Sequence, residues 1–277
     1  MPSSRGGMLW FSIVICLLLP PAEADAACSA VPKPRVINGM SVVRGQFPWQ
    51  VSLQFFSSLD SNWHHRCGGV LINRQWVLSA AHCVVTPGRW CRVALGVYNL
   101  HQREASSKIR EADARIPHPL YQDDKWDYDV GLVRLRTPVT FNTLLAPIPL
   151  ASKEDFTTFD NRICTASGWG QTEINDPSKH SAILKKVPLR VISHTNCLQW
   201  DPKRVYFSRR TLCAMPVLGG TTCSGDSGGP LQCFRGGRYW LVGIVSFGVC
   251  NEKPQPVAFA RVSEFLDWIQ TTIKQYA

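Results

Sequence analysis

Three short segments, Ala81-His82-Cys83, Asp127-Tyr128-Asp129-Val130-Gly131-Leu132 and Gly225-Asp226-Ser227-Gly228-Gly229-Pro230, stand in that order along the chain. They constrain the fold because each carries one part of a single chemistry. A serine hydroxyl is a poor nucleophile at neutral pH. Acyl transfer therefore needs a histidine base, a buried carboxylate to orient the imidazole, and N–H donors for the oxyanion. His82, Asp129 and Ser227 are the candidates, and they are useful only in a fold that brings three distant segments together. A lone His-Cys pair or a single aspartate is ordinarily structural. The last segment is more specific, because its glycines leave the backbone around the serine uncovered. Gly225 and Ser227 can then aim their amide N–H groups at a developing oxyanion.

The ends and the cysteines bound the compartment. Arg5, an apolar stretch from Leu9 to Leu19, Pro20-Pro21 and the small residues Ala24-Asp25-Ala26 read as a secretory signal peptide over residues 1–26. That stretch is too short to span a bilayer, and no later one is long enough. The mature chain is expected to be secreted, extracellular and soluble, with a storage granule left open. One of the eleven cysteines, Cys16, lies in the leader. The remaining ten suit an oxidising compartment and allow up to five disulfides. No Asn-X-Ser/Thr sequon is present.

Helix signals are scarce. Apolar or alternating runs of strand length recur at Trp49 to Phe56, Trp76 to Ser79, Arg92 to Val97, Val130 to Leu135, Val187 to Ile192, Trp240 to Phe247 and Val257 to Val262. Glycine, proline and asparagine punctuate them, which suggests all-β sandwich or barrel domains. One helix is expected at the C-terminus, capped by Ser263, with Phe265, Leu266, Trp268, Ile269 and Ile273 on one core-facing stripe.

With Pro48-Trp49-Gln50-Val51-Ser52-Leu53, Cys67-Gly68-Gly69, Ser167-Gly168-Trp169-Gly170 and Gly243-Ile244-Val245-Ser246-Phe247-Gly248 added in order, the chain resembles the trypsin/chymotrypsin family of serine proteases from about Arg35 to the C-terminus. Its features most resemble the pancreatic elastases and leucine-preferring chymotrypsins, through Cys28, Arg35-Val36-Ile37-Asn38-Gly39 and Phe259-Ala260-Arg261-Val262-Ser263. The resemblance implies two six-stranded antiparallel β-barrels and a C-terminal α-helix, with a cleft between the barrels. It implies an activation propeptide over 27–35 and a peptidase domain over 36–277. The first barrel would run to about 147 and the second from about 148, with Ala146-Pro147-Ile148-Pro149 as the crossover.

The resemblance also assigns roles. His82 would be the general base, Asp129 its orienting carboxylate and Ser227 the nucleophile, with the amides of Gly225 and Ser227 as the oxyanion hole. A trypsin-like protease would cut after Arg35, and the freed ammonium of Val36 would pair with buried Asp226. Implied disulfides join Cys67 to Cys83, Cys164 to Cys233, Cys197 to Cys213 and Cys223 to Cys250. Cys28 and Cys91 remain, either paired with each other or present as free or intermolecular thiols. The linker position that carries a partner cysteine in related zymogens is Ile148 here.

Substrate-binding positions fall on Thr221, Ser246, Gly248 and Val257. Uncharged Thr221 at the pocket floor argues against cleavage after Lys or Arg, and Gly248 leaves the entrance open. Val257 would fill the bottom, favouring small to medium aliphatic residues over Phe and Tyr by at most about 1–3 kcal/mol. Chymotrypsin-like preference for Leu, Phe or Tyr, or a catalytically silent protease-fold protein that binds heparin or another anionic partner, are the alternatives. His82 must be neutral to act as base, so activity should fall at acid pH.

The formal net charge is +10, densest at Lys203-Arg204 and Arg209-Arg210. A solvated loop is the simpler reading of that cluster, with an anionic glycosaminoglycan as the partner it would otherwise take; no nucleic-acid motif accompanies it. Expected partners are protein or peptide substrates, the activating protease and protein protease inhibitors. No cofactor is required. A zinc set from His64, His65, Cys67, His82 and Cys83 is disfavoured because adjacent strand residues point to opposite faces. Pancreatic relatives bind calcium beside a glutamate after the glycine matching Gly96, where this chain has Val97, so no metal is expected. The acidic residues Asp123, Asp124, Asp127 and Asp129 lack EF-hand spacing and read as a surface loop leading into Asp129.

Overall fold

Strand β2 (Gln50–Ser57) shows how the first half folds: Val51, Leu53 and Phe55 alternate into a core while Gln50, Ser52 and Gln54 point the other way. The computed structural model describes residues 39–85, 91–102, 104–105, 107–174, 176, 178–201, 203, 206–250 and 255–276. The expected leader (1–26), the propeptide (27–35), Cys28, Arg35 and Val36 lie outside the described residues.

Strand β1 is Met40–Ser41, and β2 is followed by β3 (Asn62–Leu71), β4 (Trp76–Ser79), β5 (Cys91–Leu95), β6 (Lys108–Pro117) and β7 (Gly131–Leu135). Strands β2, β3, β4, β7, β6 and β5 pair in that order into a closed antiparallel barrel. Val51, Leu53, Val70, Leu78, Val93, Leu95, Leu132 and Leu135 fill it and are inaccessible to solvent. Closure leaves no free strand edge to template aggregation.

The second half contains β8 (Ile163–Gly168), β9 (Lys185–Ile192), β10 (Thr211–Pro216), β11 (Pro230–Arg235), β12 (Arg238–Phe247) and β13 (Val257–Arg261). Its strand order is β9-β10-β13-β12-β11-β8, and β8 returns to pair with β9, closing a second six-stranded antiparallel barrel; β1 adds to the outer edge of β9. Leu189, Ala214, Leu231 and Phe259 are fully buried within it. The crossover strings the barrels together through main-chain bonds. Ile148 N–H donates to Leu71 of the first barrel, and Leu241 N–H of the second donates to Pro149.

The four disulfides Cys67–Cys83, Cys164–Cys233, Cys197–Cys213 and Cys223–Cys250 are all present. Cys91 forms no disulfide with a described residue. Burial pushes its thiol up to about 11, only partly opposed by Arg115, so it is held as the protonated thiol and packs as a small apolar side chain.

Two short helices, α1 (Ala81–Val84) and α2 (His194–Leu198), interrupt the strands, and α3 (Leu266–Gln275) closes the chain. The expected stripe holds: Phe265 and Ile269 enter the core, with Leu266, Trp268 and Ile273 packed against it. The expected cap does not. Ser263 is buried in a 3-10 turn over Val262–Glu264, and Phe265 takes the N-cap position with no side-chain cap. Burying the apolar stripe sets where the helix begins, and the serine two residues ahead of the N-cap makes no capping bond to its free N–H groups. No helix among the described residues is long and apolar enough to cross a membrane.

Candidate active site

His82 is the second residue of α1, a single turn that follows directly on β4. Asp129 lies just before β7, which pairs with β4 through Ser79 opposite Gly131. That register brings the two together. Asp129 Oδ1 accepts the main-chain N–H of His82 at 3.0 Å, and Oδ2 accepts from His82 Nδ1 at 2.8 Å. Since a carboxylate only accepts, Nδ1 carries a proton, and in the neutral ring Nε2 is the nitrogen that keeps its lone pair. Asp129 is buried to 1 % exposure, and its third donor is the hydroxyl of Ser246 from β12, at 2.5 Å to Oδ2. Ser246 therefore spends its hydroxyl on the carboxylate, and only its main chain is left for the substrate contact expected of it.

Ser227 sits on the tight turn ahead of β11. The Asp226 N–H donates to Cys223, and Gly229 N–H donates back to Asp226. Gly225 and Gly228 have φ of +92° and +77°, conformations that side-chain-bearing residues rarely adopt. Packing demands glycine as well. A Cβ at Gly228 would lie 2.1 Å from Ser79 Oγ and 2.6 Å from the Gly68 carbonyl. The turn thus presses against the end of β4, immediately before α1. Gly68 N–H donates to the Ser227 carbonyl at 2.8 Å, and the neighbouring Cys67 is bonded to Cys83 of α1. These contacts set the turn bearing Ser227 against the strand end that leads into His82; no side-chain hydrogen bond joins Ser227 and His82 among the described residues.

Asp226 points the other way, into the second barrel, with 1 % of its surface exposed. Its Oδ1 accepts from Gly170 N–H at 2.8 Å and Oδ2 from Cys223 N–H at 3.0 Å. Burial raises its carboxyl to about 6 in spite of those two donors. Gly168 and Gly170 leave the room it occupies, since a Cβ on either would come within 2.1 and 2.5 Å of the carboxylate group.

His65, weighed above only as a metal ligand, turns out to brace the same turn. Its Nε2 must donate to the Gly225 carbonyl, at 2.9 Å, so its Nδ1 accepts from the Ser52 hydroxyl at 2.8 Å. Burial depresses its pKa to about 4, which keeps the ring neutral for both bonds. His64 faces outward to Asp60. Cys67, His82 and Cys83 place their ligand atoms close together, but both sulfurs are consumed in a disulfide and offer no thiolate.

On the other side of Ser227, the disulfide Cys223–Cys250 ties the segment carrying Thr221 to the one carrying Gly248. Phe247 lies opposite Ala258, so Gly248 falls beside Val257, whose Cγ1 is 3.6 Å from where a Gly248 Cβ would be. Thr221 and Val257 are both buried. An aromatic group closes the near side: Trp126 meets the His82 ring edge-on at 5.3 Å and Phe247 at 5.7 Å, and Phe207 lies 5.7 Å from Phe247.

Of the expected basic cluster Lys203 is exposed, while the two arginines at 209 and 210 are engaged. Arg209 pairs with Glu264 and lies over Phe156, and Arg210 is taken up by Asp127 and the Tyr128 ring. Arg204 lies outside the described residues. Asp127, expected in a solvated loop, is a half-buried interdomain contact.

Compared with protein-family profiles, residues 36–269 match the trypsin family. With two closed antiparallel barrels and this match over most of its length, the chain belongs to the trypsin family of serine proteases.

Proposed function

We propose that the chain is a secreted serine endopeptidase zymogen, cut after Arg35 and then hydrolysing peptide bonds after small to medium aliphatic residues. The observation that carries this reading is the fixed Asp129–His82 pair, with Nδ1 turned to the carboxylate, beside the glycine-lined turn that bears Ser227. Ser227 Oγ attacks the peptide carbonyl while His82 Nε2 takes its proton, and the Gly225 and Ser227 N–H groups receive the oxyanion. Collapse breaks the C–N bond as His82 returns the proton to the leaving amine. A water, deprotonated by His82 in turn, then releases the acyl group and regenerates Ser227. All the proton transfers use side chains of the protein itself.

Cleavage would give Val36 an ammonium group, and the buried Asp226 carboxylate forms no ion pair with a described residue. Pairing them would offset the cost of desolvating each, several kcal/mol. The turn from Cys223 to Ser227 would be ordered as a result. Val257 against Gly248 supports the aliphatic preference, and four disulfides support an oxidising, extracellular destination.

The test is hydrolysis of matched peptides ending in Ala, Val, Leu, Phe, Arg or Asp, before and after limited trypsin treatment, with Ser227→Ala as control. Activity that appears on cleavage after Arg35, favours Ala, Val or Leu, and drops by about 10⁴–10⁶ in the variant is expected. A preference for Phe moves the specificity to the chymotrypsin type. Silence after verified cleavage overturns the peptidase reading.

A further inference from the structure

On the outer face of the first barrel, β2, β5, β6 and the loop Val97 to Gln102 enclose a groove of about 640 Å³. That is within the range of about 300–1,000 Å³ in which proteins hold ligands. Its charge is one-sided. Arg92 and Lys108 line it, and no Asp or Glu does among the described residues. Arg92 is held in place: its Nε donates to Gln54 at 2.8 Å and its guanidinium lies 4.5 Å from the centre of the Trp63 ring. Its Nη groups and the Lys108 ammonium bond no described residue. The acids that could neutralise them are engaged elsewhere. Glu111, opposite Arg92 in the β5–β6 register, turns to Arg136 at 3.2 Å. Glu104, buried beneath the same loop, accepts from the Tyr98 and Asn99 N–H groups and pairs with Arg44 at 2.6 Å. Between the cations the lining is apolar, from Val97, Leu100 and Ile109.

The groove adjoins the candidate active site. Gln54 in β2 stands opposite His65 in β3, the residue that bonds Gly225. Thr221, Gly248 and Val257 lie on second-barrel segments, on the other side of the reacting turn. A substrate seated there by its acyl side would run over the first barrel with its leaving-group side.

We propose that this groove docks an extended acidic segment of a protein substrate, C-terminal to the scissile bond, with carboxylates on Arg92 and Lys108 and apolar side chains on Val97, Leu100 and Ile109. The position relative to the scissile bond rests on the peptidase reading; the docking itself does not. One held cation, Arg92, and one exposed cation, Lys108, around an apolar floor suit a chain that alternates acidic and apolar residues. A sulfated polysaccharide would need a denser row of cations and gains nothing from the floor.

The experiment uses the full chain cut after Arg35 and carrying Ser227→Ala, titrated against a labelled peptide of alternating Glu and Leu and its Gln-for-Glu counterpart, read by fluorescence anisotropy. Binding of the acidic peptide about tenfold tighter than the neutral one, weakened by salt and lost in Lys108→Glu but retained in Arg209→Glu, is the expected result. Equal binding of the two peptides overturns the proposal. So does loss in Arg209→Glu with retention in Lys108→Glu, or heparin binding where the acidic peptide does not bind. In the active enzyme, an acidic extension after the scissile bond should lower KM several-fold, and Lys108→Glu should cancel that gain without changing hydrolysis of short peptides. If short peptides are not cleaved at all, the peptidase reading fails while the anisotropy titration still decides the groove.

Discussion

Arg210 grips Asp127 with both arms of its guanidinium, Nε to Oδ1 at 2.9 Å and Nη2 to Oδ2 at 2.5 Å, across the join between the two barrels. Asp127 is two residues ahead of Asp129, so the clamp holds the loop that brings the Asp129 carboxylate to His82. Ser208 adds a hydroxyl donor to the same oxygen, at 3.0 Å. Arg210→Leu should lower kcat several-fold with KM little changed. In a double-mutant cycle with Asp127→Asn, the pair should show a coupling of about 0.5–3 kcal/mol in urea unfolding. Strict additivity would mean that the clamp is incidental. Burial on its own would raise the Asp127 carboxyl, but Arg210, Ser208 and the Tyr128 N–H hold it below its ordinary value of 3.8. Its contribution is therefore complete above that value and is lost as pH falls through the lower folded one.

Ser246→Ala removes the hydroxyl donor from the Asp129 oxygen that also receives His82 Nδ1. A hydrogen bond to a charged group is worth about 1.5–3 kcal/mol. A drop of roughly tenfold or more in kcat/KM on a short peptide is expected. An unchanged rate would show that His82 and its own N–H suffice to hold the carboxylate.

Asp226 makes stability depend on pH in the direction opposite to most carboxylates. Burial lifts it from 3.8 to about 6, so the folded, uncleaved chain binds more protons than the unfolded one between those values. Stability should decline as pH rises from about 4 to about 6 and level off above, by about 3 kcal/mol in all. Urea midpoints across that range should show the slope in the uncleaved chain and lose it in Asp226→Asn. Once Val36 is free to pair with the carboxylate, the slope should disappear in the cleaved enzyme too. A slope that persists in the Asn variant would falsify the assignment.

Gly228→Ala and Gly236→Ala separate crowding from backbone preference. Both glycines have positive φ, +77° and +59°, but a Cβ at Gly228 meets Ser79 and Gly68 while one at Gly236 meets nothing within 4 Å. The second change should cost about 1 kcal/mol of stability and leave turnover intact. The first should displace Ser227 and cut kcat by at least about 100-fold. Comparable losses in the two variants would contradict the packing account.

Much of this was legible in the sequence where side chains announce themselves. The strands at Trp76 to Ser79, Val130 to Leu135 and Val257 to Val262 are short apolar runs, and they are strands. β6 was not visible, because Lys108-Ile109-Arg110-Glu111-Ala112-Asp113-Ala114-Arg115 carries charge along its whole length. Only its pairing with β5 and β7 makes it a strand. His82 and Asp129 sit in recognisable motifs, and β4–β7 pairing brings them within hydrogen-bonding distance. The partners Ser52, His65 and Ser246 have ordinary residue types, and Arg210 is far from Asp127 in sequence, so tertiary contact alone reveals their use. Ser263 misled because a capping residue type was present at a place where the turn is 3-10.

The bond from Gly68 N–H to the Ser227 carbonyl joins the two barrels through main-chain atoms at both ends. Only proline at position 68 would delete its donor outright; any other substitution can bend the contact only by changing what surrounds it. Ser227 is thereby insulated from drift at either residue's side chain, and the two halves of the chain can vary in surface, loops and pocket while their meeting point stays fixed. On the proposed peptidase reading, turnover on a short peptide would double as a probe of assembly, because it would report whether the halves have closed on each other.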